Sequence, residues 1–229
     1  MPKYYPVMLD VRGRKALVIG GDAVAAEKAA SLSLSGAQVT VQSDAFAPEV
    51  LALHEQQKIT LHKKAYAPGD LAGAFVVVAT STHDPALTEA IWQETQQRGQ
   101  LVNIVDVPAR CNYIVPSILR RGQLTIAVST EGASPSIAKR VRQQLEGLFP
   151  SAYDAYLQLA SAARALLREA NVPYDRRDAF FGEYFTSEVL TLLSDGEHQQ
   201  ATTITVDLLR KYTVSITAGD LLALWKKEV

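Results

Sequence analysis

Three groups of residues in this chain have the types and spacing to do chemistry. The first is Gly20-Gly21-Asp22-Ala23-Val24-Ala25, where glycines cut off the apolar run Ala16-Leu17-Val18-Ile19 and an alanine-rich segment begins. A strand, a tight turn and a helix in that order aim helix N-terminal amides at a phosphate. Gly20 fills the first position of the G-x-G-x-x-G/A pattern and Ala25 the third, but Asp22 stands at the second. Glycine there normally lets the backbone approach a pyrophosphate, so a carboxylate is expected to crowd that approach and to oppose the charge. The same turn can also be purely structural. The second group is one residue, Asp106, directly after the strand predicted over residues 101–105. A carboxylate at a strand end can take up a proton as a general base, or it can simply cap the loop before Pro108. The third is a set of cations, Arg110, Arg120, Arg121, Lys139, Arg140 and Arg142. Arginine favours two-pronged pairing with carboxylates, although residues 139–142 also fit a solvated helix face.

Positioning these groups requires a particular order of elements. A second strand over residues 38–42 completes a βαβ unit about 20 residues after the glycines. A short helix over 48–57 and a strand over 59–62 follow. Residues 75–79, Phe-Val-Val-Val-Ala, are apolar throughout and suit a central parallel strand covered on both faces. The polar turn Thr80-Ser81-Thr82-His83-Asp84-Pro85 then starts a helix that runs to Arg98 and stops at Gly99. Alternating strands and helices predict an α/β fold, a doubly wound (Rossmann-like) parallel sheet, with ligands beyond the carboxyl ends of its strands. Those ends carry Gly20, Gly21 and Asp22, then Ser43 and Asp44, then Thr80 and Ser81, and finally Asp106. Ala23 and Val24 open the first helix and offer its amides to a cofactor. Asp44 in place of an arginine near the second strand end favours NAD over NADP.

The pattern changes after residue 113. Residues 124–129 read as a strand, and Ser134 is a plausible N-cap with Pro135 at the first helical position of a helix ending near Leu148. From Ser151 the chain is helical, with one helix predicted over 175–193 and further helix in the threonine-rich segment 199–229. The expected division is therefore a dinucleotide-binding domain over 1–113, a small α+β dimerisation segment over 114–150 and an all-helical domain over 151–229.

Composition narrows the classes of partner. Net charge is −1 and 48% of residues are hydrophobic, so no global basic field recruits nucleic acid or a membrane surface. An anionic ligand must be met by local cations. The single cysteine, Cys111, excludes an internal disulfide and a cysteine-built zinc site. His54, His62, His83 and His198 show no metal-ligand spacing, so no resident metal is expected. The first residues lack a signal-peptide core, and no segment approaches the ~20 apolar residues of a membrane span, which makes a cytoplasmic protein the expectation.

Several separate motifs, taken together, resemble the siroheme synthase family, and within it the precorrin-2 dehydrogenase/sirohydrochlorin ferrochelatase module. They are Tyr4-Tyr5-Pro6-Val7-Met8-Leu9-Asp10, the strand and glycine turn, Val102-Asn103-Ile104-Val105-Asp106, Ile114-Val115-Pro116-Ser117-Ile118 and Ile126-Ala127-Val128-Ser129-Thr130-Glu131-Gly132-Ala133-Ser134-Pro135. The resemblance spans residues 4–146; past 150 only the helical character matches, and a chain of this length lacks room for the methyltransferase domain of the larger fused form. It implies NAD-dependent oxidation of precorrin-2 to sirohydrochlorin, followed in many members by Fe²⁺ insertion to give siroheme. It also implies a homodimer, contacts from the 80–82 turn to the dinucleotide, a tetrapyrrole polycarboxylate met by the arginines, and Asp106 as the shared catalytic aspartate. Thr130 falls where some members carry a phosphorylated serine, although its sequence context suits a turn. Two alternatives remain: a chelatase whose NAD binding Asp22 has weakened, and a non-catalytic nucleotide-sensing module. The second alternative accounts for the βαβ unit but gives no reason for Asp106 or for the 129–135 turn.

Overall fold

The computed structural model describes residues 3–80 and 83–227, the side chains of Lys226 and Lys227 excepted. The chain divides into two compact units, Met1–Val115 and Pro116–Val229.

The first unit is a five-stranded parallel sheet. Its strands are β1 (Lys15–Ile19), β2 (Gln38–Ser43), β3 (Thr60–Lys63), β4 (Val76–Ala79) and β5 (Leu101–Ile104), ordered β3-β2-β1-β4-β5. Alternation of side chains sorts the apolar residues into two layers. Ala16, Val18, Val39, Val41, Val76 and Val78 face α1 (Ala23–Leu34) and α2 (Pro48–Glu55). Leu17, Ile19, Val77, Ala79, Val102 and Ile104 face Leu71 and Ile91, the latter on α3 (Pro85–Arg98). Ala25, Ala26 and Ala29 are the buried face of α1, and such small side chains let that helix lie close on the sheet. Asp84 caps α3 by accepting from Ala86 N and Leu87 N, and Gly99 ends it in the left-handed conformation.

No helix spans the crossover from β3 to β4. Residues 64–75 form a loop held by two polar clusters instead. The Asp70 carboxylate accepts from Lys64 Nζ (2.7 Å), Ala67 N (2.9 Å) and the buried Gln42 Nε2 (2.6 Å). Glu94 on α3 accepts from Tyr66 Oη (2.7 Å), Gly69 N (2.9 Å) and Arg98 Nε (2.8 Å). Both carboxylates sit below the usual range because these donors outweigh the opposing effect of burial.

The second unit begins with an antiparallel hairpin, β6 (Ser117–Arg121) and β7 (Leu124–Val128), against which α4 (Pro135–Leu148) packs. Strand β6 was not expected from the sequence. Ser134 caps α4 by accepting from Ile137 N, with Pro135 in the first turn. Five helices follow: α5 (Tyr153–Glu169), α6 (Tyr174–Thr186), α7 (Val189–Ser194), α8 (His198–Lys211) and α9 (Ala218–Lys227). The single helix predicted over 175–193 is two, because the chain turns extended at Ser187, whose hydroxyl donates to Tyr184 O. Three of the threonines in 199–229 are helical, and Thr213 and Thr217 lie in the connection between α8 and α9. Thr202, Thr203 and Thr205 return their hydroxyls to the carbonyls four residues back, so Thr202 and Thr205 can be buried. At the centre Tyr156 and Tyr184 stack 4.7 Å apart and each donates to the other's carbonyl.

Asp70 makes the first unit acid-sensitive. Its carboxyl is lowered from 3.8 to about 2, so the stability it contributes is present above pH about 4 and lost as pH falls toward 2. Asp70→Asn should lower stability at neutral pH and flatten the acid limb between those values. Chemical denaturation at a series of pH values measures both, and an unchanged slope would contradict the assignment.

Candidate active site

Sheet register brings the chemical groups to one edge. Ile19 pairs with Gln42 on one side and Ala79 on the other, and Ala79 pairs with Ile104, so four strands end on one row. The ladder continues one step further: Gly20 N donates to Gln42 O, Thr80 N to Ile19 O and Val105 N to Ala79 O, each at 2.9 Å. The loops that follow therefore leave the sheet side by side, and the reversal of strand order between β1 and β4 opens a crevice there.

The glycine turn is tightly constrained. Gly20 has φ +133°, a conformation that L side chains rarely adopt. A Cβ on Gly21 would run into the Ala45 carbonyl and within 2.9 Å of Ser43 Oγ, and Ala47 N donates to Gly21 O at 2.7 Å. The β1–α1 and β2–α2 loops are thus pressed together, with Ser43 half-buried between them and Asp44 exposed. Ala23 and Val24 are exposed at the start of α1, where helix geometry leaves their amides without an intrahelical acceptor.

Asp22 departs from the sequence expectation in its direction. Its backbone is ordinary extended chain, φ −86°, so glycine is not required for conformation. The side chain folds back as the N-cap of α1: Oδ1 accepts from Ala25 N at 2.7 Å and from Thr80 Oγ1 at 3.0 Å. The carboxylate therefore occupies the positive end of the helix rather than crowding the turn. It also engages the hydroxyl of the buried Thr80, which was expected to donate to phosphate or ribose. Ser81 lies outside the described residues.

Asp106 is exposed at the apex of the loop after β5, with φ +61°. A non-glycine residue in that region costs roughly 1–2 kcal/mol, least for Asp and Asn. The chain after it is pinned back on β5. Asn112 accepts from Val102 N (2.8 Å) and donates to Gln100 O (2.8 Å), and Asn103 Nδ2 donates to Tyr113 O (3.1 Å). The Cys111 thiol lies 3.2 Å from Ile104 N and 3.3 Å from Ile104 O, and burial pushes its pKa up. Cys111 is a packed residue. Asn112 is a positioning residue that sequence reasoning missed, since a lone asparagine after a turn carries no signal of which strand it clamps.

The expected substrate cations do not behave alike. Arg110 pairs with Glu89 (2.8 Å) and lies over the Trp92 ring. Arg121 donates to the carbonyls of Phe149 and Arg120, so it braces the hairpin and is not a free anchor. Arg120, Lys139 and Arg140 are exposed and, among the described residues, form no ion pair. Arg142 pairs with Glu146. Thr130 both donates to Ser134 O and accepts from Ser134 N, which is the turn role expected of it. Among the described residues no three His, Cys, Asp or Glu side chains gather at metal-binding distance, and no helix is long and apolar enough to cross a membrane.

Two family profiles match the chain: a putative NAD(P)-binding family over residues 7–117, and the central part of sirohaem biosynthesis proteins over 121–148. The siroheme synthase of Zymomonas mobilis is 32% identical over 208 residues, 91% of this chain and 44% of the relative. That of Thiobacillus denitrificans is 36% identical over 198 residues, 86% of this chain and 41% of the relative. The chain belongs to the siroheme synthase family. It spans less than half the length of these curated members. A solved structure named SirC, precorrin-2 dehydrogenase, superposes with a TM-score of 0.75 at 26% identity, covering 91% of this chain and 100% of that one. In this member of the siroheme synthase family, then, an NAD(P)-binding sheet carries an aspartate at the helix end where phosphate normally sits.

Asp22→Asn keeps the cap, because Asn caps as well as Asp, and removes the negative charge at the helix end that a dinucleotide phosphate would approach. NAD⁺ affinity should rise by on the order of 1 kcal/mol, several-fold, with the fold unchanged. Calorimetric titration of both proteins checks this, and equal or weaker binding by the variant would show that the charge is already neutralised where it stands.

Proposed function

We propose that the protein oxidises precorrin-2 to sirohydrochlorin with NAD⁺, and that Asp106 is its general base. The observation that carries this reading is the shared row of strand ends. It sets Asp106, held in a strained backbone conformation, two loops from a glycine turn that fits a dinucleotide, and strain of that kind clusters at functional sites. Gly20 and Gly21 keep the turn tight, the amides of Ala23 and Val24 would meet the pyrophosphate of a bound dinucleotide, and Asp44 would meet a ribose hydroxyl. Bound NAD⁺ supplies the acceptor for a hydride from the macrocycle. The proton released with that hydride passes to the Asp106 carboxylate and then to water, leaving NADH and sirohydrochlorin. Insertion of Fe²⁺, treated as a substrate, releases two pyrrole N–H protons, and the same carboxylate is placed to take them up. Arg120, Lys139 and Arg140 are the exposed cations that suit the substrate's carboxylates.

Incubation with precorrin-2 and NAD⁺, followed by sirohydrochlorin absorbance, tests the function directly. A nucleotide-sensing module would show binding without turnover, and a chelatase alone would insert Fe²⁺ into sirohydrochlorin without reducing NAD⁺. Asp106→Asn tests the base. Asn tolerates positive φ as well as Asp does, so the loop should persist while dehydrogenation falls by roughly 10² or more. Wild-type turnover by a folded variant would remove Asp106 from the mechanism.

The working unit proposed is a homodimer formed through residues 114–150. Helix α4 packs on the hairpin with Ala138 buried, yet Ile137, Val141 and Leu148 stand exposed along it at helical spacing, Leu148 at 69%. A second copy of the same surface would cover them by two-fold symmetry. Light scattering should give twice the 24.9 kDa chain mass, and Ile137→Glu should shift it toward the monomer. A wild-type monomer that still turns over would contradict the dimer.

A further inference from the structure

The helical unit contains a cavity of about 520 Å³ that none of the residues at the sheet edge lines. Its lining comes from α5 and α6, with Gln123 from the turn between β6 and β7. Leu157, Ala160, Arg164 and Arg168 recur at helical spacing on α5, and Tyr174, Arg177 and Phe181 on α6. The volume is within the about 300–1,000 Å³ of small-molecule sites.

Three features of its arginines call for an anion. Arg164 and Arg168 are one helical turn apart, and like charges at that spacing oppose the helix that carries them. Among the described residues none of Arg164, Arg168 and Arg177 forms an ion pair or a side-chain hydrogen bond, a condition shared in this unit by the exposed Arg120 and Arg140, whereas Arg121, Arg142, Arg176 and Arg210 each have a partner. Nε of Arg177 is buried without an acceptor, a standing cost that an added acceptor relieves. Asp178 is the one acid among the lining residues, so three guanidiniums face one carboxylate. The apolar part of the lining comes from Leu157, Ala160, the Phe181 ring and the largely exposed Tyr174 ring. Hydrocarbon would strip water from a bare inorganic ion without repaying it, but it suits an organic body. The planar fork of arginine matches a carboxylate in two-pronged geometry.

We propose that the α5–α6 groove binds a small organic carboxylate, with its carboxyl groups on Arg164, Arg168 and Arg177 and its apolar body on Leu157, Tyr174 and Phe181. This site stands apart from the dehydrogenase reading and does not depend on it. The probe is benzene-1,3-dicarboxylate, two carboxylates on one flat ring, titrated into the full chain and followed by calorimetry and by the ¹⁵N–¹H resonances of the arginine Nε groups. Saturable binding that moves the Arg177 Nε–H signal is expected. The double variant R164Q/R168Q changes two exposed side chains, and its melting temperature reports whether the fold is retained. It should bind the probe at least roughly tenfold more weakly. Inorganic phosphate should bind roughly tenfold more weakly than the dicarboxylate. Absence of saturable binding, an unmoved Arg177 signal or unchanged affinity in the folded double variant would overturn the site. Equal affinity for phosphate would overturn its assignment to an organic ligand.

Discussion

Strand β4 is paired on both sides and covered on both faces, and every chemical group of the first unit takes its position from that fact. Val76, Val77, Val78 and Ala79 are all buried, with alternate residues in the two apolar layers. A strand enclosed in this way has one register, since a slip of one residue would exchange its faces. Its pairing with β1 and β5 then sets Thr80 level with Gly20 and Val105. The crevice between β1 and β4 follows from strand order, and the chemistry at its mouth follows from register.

Electrostatics at that mouth set two anions against each other. The N-terminus of α1 favours negative charge, and a dinucleotide phosphate and the Asp22 carboxylate both seek it. Asp22 holds it through Ala25 N and Thr80 Oγ1, so the apoprotein has a satisfied helix end and a satisfied buried hydroxyl. What remains for a cofactor is the first amides of the helix and the outer side of the glycine turn. Asp106 differs in having no such inward partner among the described residues. The clamps around it, from Asn112, Asn103 and Cys111, all engage backbone, which keeps the loop folded while its carboxylate faces solvent.

In the second unit the apolar and charged surplus is placed on different surfaces. Aromatic packing around Phe180 and Tyr184 closes the interior of the helices, while α4 carries its apolar stripe outward and α5 and α6 gather arginines that have no ion-pair partner among the described residues beside apolar lining. An apolar stripe and a cationic groove invite different kinds of contact, the first another protein surface and the second a small anion.

Local pattern determined much of this protein. The apolar run 75–79, the glycines ending β1, the Asp84 and Ser134 caps and the stop at Gly99 each announce an element through short-range physics, and together they imply a parallel sheet with ligands at its carboxyl edge. Periodicity could not resolve the break at Ser187 or strand β6, because both depend on which neighbours bury them. The candidate site was legible as residues and not as geometry. Asp22 was visible as a misfit in the glycine pattern, but its turn toward Ala25 N needs the helix to exist, and its bond to Thr80 spans 58 positions of sequence. Arg121 and Arg110 looked like anchors of the same kind as Arg120 until folding brought the Phe149 carbonyl and Glu89 to them. Charge and hydrogen-bonding type are written in the sequence. Which partner satisfies each group was decided by tertiary structure, because long-range pairing alone sets the distances over which those interactions act.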